Sequence, residues 1–237
     1  VKDVVIDNLD FLPSIDQGSL YVRPIAYGEG PMLGVKASEF YTFLIYVTPV
    51  GSYFKSGLKS LNTIVTDKYH RVATKSIGFA KAVGNYAGTL LPYKEIVEDG
   101  YDEIIFLNAS NENIIDEARS ANIFVLKGNI LKTPMLQGSI LPGITRDSVI
   151  KVASKIFNLD VREEDVFLDE LMNADEVFFT GTAAVIAPAG RIVYKNNETN
   201  FNISYEESMT KKIRERLIDI QHENIEDPFG WVIPLGK

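Results

Sequence analysis

The sequence predicts an α+β domain, or one of mixed architecture, in which strands outnumber helices. Short runs rich in β-branched and aromatic residues recur along the chain, and turn-forming Gly, Pro and Asn residues separate them. Apolar residues at helical spacing occur in only a few segments. Because strands and helices do not alternate regularly, the pattern does not indicate a βαβ array.

The first third of the chain is dominated by two predicted strands. Residues 19–27 and 41–48 are rich in β-branched and aromatic side chains. Residues 28–34 between them predict a loop because they contain three glycines and Pro31. The loop is not a dinucleotide-binding fingerprint, since its glycine spacing is wrong and the proline interrupts it.

The middle of the chain predicts one helix, one strand and one hairpin. Residues 85–98 have a helical pattern that Gly100 ends. Residues 102–108 form the next predicted strand. Residues 122–126 and 130–132 predict a hairpin, since a Lys-Gly-Asn turn joins two apolar runs.

The last third predicts two helices around two strands. The first helix begins where Thr145 can act as its N-cap. Its apolar face comprises Val149, Ile150, Val152, Ala153, Ile156 and Phe157. Residues 176–180 and 191–194 are predicted strands, separated by residues 181–188. The buried stripe of the final helix comprises Met209, Ile213, Leu217 and Ile220.

Composition excludes several classes of function. The 237 residues carry a formal charge of −8, which disfavours a nucleic-acid partner because the phosphate backbone requires a basic surface. No apolar run reaches the roughly 18 residues of a membrane span. Cysteine is absent and there are two histidines, so neither a disulfide framework nor a classical zinc motif is predicted. We therefore expect a soluble, cytoplasmic protein without a metal site.

Three features could carry chemistry, although each has an ordinary structural interpretation. Residues 142–146 place a glycine and a hydroxyl at a helix N-terminus, which suits a phosphate but also serves as a plain cap. Residues 181–184 follow a strand and could present N–H groups to an anion, or form only a tight turn. Lys81 has small, uncharged neighbours, and a desolvated lysine would be a nucleophilic amine, yet most lysines are solvated.

Several segments, in this order, resemble the branched-chain aminotransferase family of pyridoxal phosphate (PLP) enzymes. They read GSLYVRP (18–24), KAVGNY (81–86), ILPGITRD (140–147), GTAA (181–184) and EDPFGW (226–231). The resemblance implies the large domain of the class IV aminotransferase fold, an α+β domain whose mixed sheet forms a pseudo-barrel. Residues 1–17 would be an interdomain segment and residues 18–237 the large PLP-binding domain. On this resemblance we expect no counterpart of the family's small N-terminal domain within these residues.

The resemblance assigns four residues to the ring of the cofactor. Lys81 would form the Schiff base and would move the proton between the substrate and the cofactor. Tyr86 would hydrogen-bond the phenolic oxygen of the cofactor, and Leu141 would pack against the ring. Glu117 would pair with the pyridine nitrogen, and its carboxylate would keep that nitrogen protonated.

The resemblance also assigns residues to the two anionic groups in the site. Ile144 and Thr145 would bind the cofactor phosphate at the helix start, and Thr182 would add its hydroxyl. The backbone N–H groups of Thr182 and Ala183 would hold the substrate carboxylate.

Four further residues would contact the substrate. Tyr21 and Arg23 match a family element beside the substrate carboxylate, while Val35 and Tyr53 match apolar positions around the side chain. The implied reaction transfers the amino group of leucine, isoleucine or valine to 2-oxoglutarate. An apolar pocket discriminates weakly between these three side chains. A homodimer is implied as well, with residues 28–35 matching the loop that partners exchange.

Two alternatives remain open at this stage. The chain could be a relative with the same cofactor and other chemistry, such as a D-amino acid aminotransferase or an aminodeoxychorismate lyase. It could also be a truncated domain that binds cofactor without turnover. One departure from the family is the stretch after Glu117, which reads Ala-Arg-Ser-Ala where many relatives carry glycine.

Overall fold

The computed structural model describes residues 1–15, 17–51 and 59–235. They belong to two compact units. The first comprises residues 1–57 with 233–237, and the second comprises residues 58–232. This division describes how the chain's own residues contact one another. It does not test the predicted boundary between an interdomain segment (1–17) and the large domain (18–237), which stays a prediction.

The first unit is built on a long antiparallel hairpin. Helix α1 (Lys2–Ile6) and a short 3-10 turn precede strands β1 (Ser19–Glu29) and β2 (Phe40–Val50). The two strands pair along their whole length, from Ser19 opposite Val50 to Glu29 opposite Phe40. Both predicted strands are therefore confirmed, and the predicted loop is shorter than expected at its start because Gly28 and Glu29 still belong to β1.

The second unit is a mixed sheet with helices on it. Its strands are β3 (Leu61–Thr66), β4 (Glu103–Asn108), β5 (Asn111–Ala118), β6 (Asn122–Lys127), β7 (Ile130–Thr133), β8 (Asp160–Glu163), β9 (Glu176–Gly181), β10 (Val185–Tyr194) and β11 (Asn197–Asn200). Its helices are α2 (Val83–Ala87), α3 (Leu90–Glu98), α4 (Ile144–Lys155), α5 (Leu168–Met172) and α6 (Met209–Gln221).

The strand order in this sheet is β5-β4-β3-β10-β9-β6-β7-β8, with β11 beside β10. Strand β3 runs parallel to β4 and to β10, and β7 runs parallel to β8, whereas the other pairs are antiparallel. The predicted α+β class with a mixed sheet is confirmed. Within the described ranges, no helix is both long enough and apolar enough to cross a membrane.

The core lies on both faces of the central strands. On β6, Ile123 and Val125 pack into one apolar cluster with β3 to β5, while Phe124 packs into a second cluster with α4 and α6. On β9, Phe178 belongs to the second cluster, and its ring stacks on that of Phe124 with centroids 5.1 Å apart. Both faces are buried, so these strands are continuous apolar runs in the sequence.

Replacing Phe178 with Ala should destabilise the fold strongly. The side chain is 0% exposed, and truncation would leave a cavity as well as remove the stacked ring. We expect the free energy of unfolding to fall by about 3–5 kcal/mol, as measured by denaturant titration. Phe79→Ala is the matched control because Phe79 is 56% exposed. Equal losses in the two variants would contradict this description of the core.

The predicted helix over residues 85–98 is two helices, and Pro92 explains the break. A continuous helix would require the residue at 92 to donate its N–H to the carbonyl of Gly88, but proline has no N–H and its ring clashes there. In the first turn of α3 the missing donor is harmless. The Thr89 hydroxyl ends α2 by donating to the Tyr86 carbonyl at 2.7 Å.

Two further details differ from the sequence-based expectations. The N-cap of α4 is Gly143, so the prediction that Thr145 caps this helix is wrong. Strand β5 was not predicted, because acidic and amide residues interrupt its apolar pattern. Two of its carboxylic acids, Asp116 and Glu117, are buried where hydrogen bonds satisfy them.

Candidate active site

One cavity of the second unit brings together every residue predicted to bind the cofactor. Its volume is about 240 Å³. The predicted residues that line it are Lys81, Tyr86, Glu117, Leu141, Ile144, Thr145 and Thr182. They come from four separate segments of the chain, and the sheet and α4 place them around one space.

Lys81 is positioned by the turn that precedes α2. The buried side chain of Asn85 on α2 donates to the carbonyls of Ile77 at 2.8 Å and Ala80 at 3.0 Å, and so ties the segment before the lysine to α2. The Lys81 Nζ donates to the Tyr86 hydroxyl at 3.1 Å. Lys81 is exposed, so its ammonium is not desolvated as a lysine in an apolar pocket would be.

Glu117 lies on the inner end of β5 and is 4% exposed. Its carboxyl accepts from Asn122 Nδ2 at 3.0 Å and from the Leu141 N–H at 3.3 Å, and it pairs with the Arg71 guanidinium. Burial raises the pKa of Glu117 to about 8, and the charge of Arg71 only partly offsets that shift. The cavity therefore holds a buried carboxyl whose pKa is raised although it contacts a guanidinium.

Sequence reasoning missed the residues that hold this carboxyl. Arg71 is buried and also donates to the Ser139 carbonyl. The Ser139 hydroxyl donates in turn to Asp116 at 2.9 Å, and burial raises the pKa of that acid as well. Arg71 follows three polar residues in the sequence and resembles a surface charge. Arg71 is buried by the tertiary fold, in which β3 and β5 belong to one sheet.

Asn122 links the two ends of the cavity. Its Nδ2 donates both to Glu117 and to the Leu141 carbonyl, the latter at 2.8 Å. A Cβ added at Gly143 would overlap Asn122 Oδ1, so the start of α4 packs directly on this amide. The N–H groups of the first turn of α4 have no acceptor within the helix, and the helix dipole makes them receptive to an anion.

Replacing Gly143 with Ala should disturb both ends of the cavity, the one at Glu117 and the one at the start of α4. The added methyl would force the Asn122 amide away from Glu117 and Leu141, and two buried hydrogen bonds would be lost. We expect a fall of about 1–3 kcal/mol in the free energy of unfolding. The control is Gly84→Ala, since a Cβ there meets no atom within 4 Å. A Gly143→Ala protein as stable as the control would show that the contact is not tight.

The turn between β9 and β10 forms another wall of the cavity. Thr182 and Ala183 are exposed in this turn, between the paired residues Gly181 and Val185. Val185 has a φ of 60°, a left-handed conformation that is unfavourable for a β-branched residue. The paired strands on either side hold the turn in this strained form.

The remaining predicted substrate residues lie in the first unit or outside the described part of the chain. Tyr21 and Arg23 lie on β1, and the Arg23 guanidinium carbon is 4.9 Å from the centroid of the Tyr21 ring. Val35 is exposed in the loop between β1 and β2. Tyr53 lies outside the described residues. The roles of these four residues stay predictions.

The cavity fits a ligand with a phosphate and a basic aromatic ring. An amine and a phenol lie 3.1 Å apart at Lys81 and Tyr86, and a carboxyl with a raised pKa is buried at Glu117. A helix N-terminus contributes N–H groups that have no acceptor within the helix. A buried hydroxyl, Thr180 Oγ1, also has no hydrogen-bond partner among the described residues. A phosphorylated pyridine derivative would use the amine, the phenol, the carboxyl and the N–H groups.

The chain is similar to plant enzymes of amino acid metabolism. It is 40% identical over 236 residues to branched-chain amino acid aminotransferase 2, chloroplastic, of Humulus lupulus, covering 100% of this chain and 58% of that protein. Other relatives from Humulus lupulus and Arabidopsis thaliana are named chloroplastic or mitochondrial. These names overturn the prediction of a cytoplasmic location. That prediction rested on composition and on the lack of a membrane-length apolar run, and neither excludes an organelle.

Solved structures and a family model agree with these relatives. The branched-chain amino acid aminotransferase of Escherichia coli superposes with a TM-score of 0.83 at 31% identity, over 99% of this chain and 74% of that one. The enzyme from Thermobaculum terrenum in its PLP form gives a TM-score of 0.82 at 25% identity, over 100% of this chain and 73% of that one. The family model for amino-transferase class IV matches residues 7–192. The chain belongs to the class IV aminotransferase family.

Proposed function

We propose that this chain is the PLP-binding part of a branched-chain amino acid aminotransferase. The observation that carries the proposal is the single cavity in which Lys81, Tyr86, Glu117 and the start of α4 come together. The chain spans 58% of the length of the Humulus lupulus relative, so the activity of the whole enzyme is part of the proposal.

Each group in the cavity has a role in this proposal. When bound, PLP supplies a carbonyl that condenses with amines and a ring that accepts electrons. Lys81 would supply the amine and then move a proton at the substrate α-carbon. Tyr86 would orient the phenolic oxygen. Glu117 would hold a proton against the ring nitrogen, which its raised pKa favours.

The phosphate and the substrate carboxylate would bind where N–H groups are free. Ile144 and Thr145 at the start of α4 would hold the phosphate with the Thr182 hydroxyl. The N–H groups of Thr182 and Ala183 would bind the substrate carboxylate. For the substrate side chain we propose Val35 and Tyr53, with Tyr21 and Arg23 nearer the carboxylate, from resemblance to the family alone.

The proposal includes leucine, isoleucine and valine as amino donors, 2-oxoglutarate as acceptor, and a homodimer. The names of the relatives support the substrates. The dimer is supported by the resemblance of residues 28–35 to the loop that partners exchange. Sedimentation at several concentrations measures the assembly, and a concentration-independent monomer would contradict the dimer.

A direct test uses the 237-residue chain with added PLP. After borohydride reduction and proteolysis, mass spectrometry should find the cofactor on the peptide that contains Lys81. A cofactor attached to another lysine, or none attached, would overturn the proposal whatever the activity.

The substrate class requires a separate assay. L-leucine and D-alanine are offered with 2-oxoglutarate, and transfer from L-leucine alone is expected. Transfer from D-alanine would favour the related D-amino acid aminotransferases instead. Cofactor binding without transfer from either would indicate that these 237 residues bind PLP but need further sequence for turnover.

A further inference from the structure

Thr180 carries a buried hydroxyl that the site described above does not use. The residue is 1% exposed, lines the cavity, and its Oγ1 has no hydrogen-bond partner among the described residues. Leaving a buried hydroxyl unpaired costs folding free energy, and such groups normally have a partner. A ligand in the cavity could supply that partner.

The register of the sheet shows which part of the cavity this hydroxyl faces. Thr180 on β9 is directly opposite Asn122 on β6, so the two side chains project from the same face of the sheet. The Asn122 amide on that face donates to the Leu141 carbonyl at 2.8 Å and packs against Gly143, the N-cap of α4. The Thr180 hydroxyl therefore lies on the side where α4 begins.

An anion at the start of α4 matches the chemistry of this hydroxyl. A phosphate is rich in acceptor oxygens, whereas the threonine hydroxyl can donate one hydrogen bond. The N–H groups of the first turn can donate to the same anion, and the helix dipole favours its negative charge. The α4 helix has twelve residues, so it is long enough to have a helix dipole at its N-terminus.

We propose that the Thr180 hydroxyl donates a hydrogen bond to the cofactor phosphate and helps the site select phosphorylated over unphosphorylated pyridoxal. This inference rests on the proposed function. It adds a buried donor, Thr180, to the exposed Thr182, which follows two positions later in the sequence.

The test compares Thr180→Val, which removes the hydroxyl and keeps the shape, with Thr180→Ser, which keeps the hydroxyl. Dissociation constants for PLP, pyridoxal and inorganic phosphate are measured with the 237-residue chain by fluorescence titration and calorimetry. Thr180→Val should weaken PLP and phosphate about tenfold or more, since a hydrogen bond to a charged group is lost. Pyridoxal should bind as it does to the unaltered chain, and Thr180→Ser should restore PLP binding.

Thr63→Val is the matched control. Thr63 is 0% exposed on β3, and its Oγ1 also has no partner among the described residues, but it does not line the cavity. This variant should leave all three dissociation constants unchanged. Equal weakening of PLP and pyridoxal by Thr180→Val, or no weakening of either, would overturn the assignment of Thr180. An unaltered chain that fails to bind PLP would overturn the proposed function itself.

Discussion

Replacing Lys81 with Ala is expected to lower transfer from L-leucine by about 10³-fold or more and to abolish borohydride fixation of the cofactor. Lys81 is the amine that meets a phenol at 3.1 Å in the cavity, so its loss removes both the attachment point and the group that moves the proton. Reversible cofactor binding should persist, because Glu117 and the start of α4 remain.

The control for this variant is Lys94→Ala. Lys94 is an exposed lysine on α3 whose Nζ lies 3.9 Å from Glu98. Exposed pairs of this kind contribute little to stability, so activity and cofactor fixation should both stay near those of the unaltered chain. Cofactor that remains fixed in Lys81→Ala would mean that another lysine carries it. Full activity in Lys81→Ala would show that Lys81 takes no part in the mechanism.

The sequence contains enough local information to predict most of the elements around the site. The β6–β7 hairpin followed from a Lys-Gly-Asn turn, and Gly128 there has a positive φ of 57°. The stripe of α6 followed from helical spacing, and Ile213, Leu217 and Ile220 are buried as expected. These features depend on interactions between near neighbours, which a pattern in one sequence can report.

The arrangement around Glu117 depends on contacts between distant residues, so local patterns could not predict it. Arg71 reaches Glu117 across 46 positions of sequence and Asn122 bridges to Leu141, and neither residue has a distinctive local pattern. Only the resemblance to a family pointed to Glu117. It could not show that burial would raise the pKa of that carboxyl to about 8.

The second large effect is expected from Glu117→Gln, and it has a stability signature that depends on pH. The folded-state pKa of about 8 lies above the ordinary value of 4.5, so the folded protein keeps this proton longer than the unfolded chain does. The stability that the group contributes is complete below pH 4.5 and is lost as pH rises through 8. In this window the unaltered protein should lose on the order of 1.4 kcal/mol per pH unit relative to Glu117→Gln.

Denaturant titrations of the cofactor-free proteins between pH 5 and 8 measure this difference. Burial raises the pKa of Asp116 in the same direction, but both proteins contain Asp116, so its direct contribution largely cancels. Glu207→Gln is the control, because Glu207 is exposed and lies outside the cavity. It should show no pH-dependent gain over the unaltered protein.

The same substitution should lower turnover by about 10²-fold or more while PLP remains bound, because a neutral amide cannot hold a proton against the ring nitrogen as a carboxyl can. The two readouts test one cause, the protonation of a buried carboxyl. A stability difference that does not change with pH would show that Arg71 keeps Glu117 ionised throughout. Glu117 would then act as a fixed anion that pairs with a protonated ring, and the loss of turnover would follow from the missing charge.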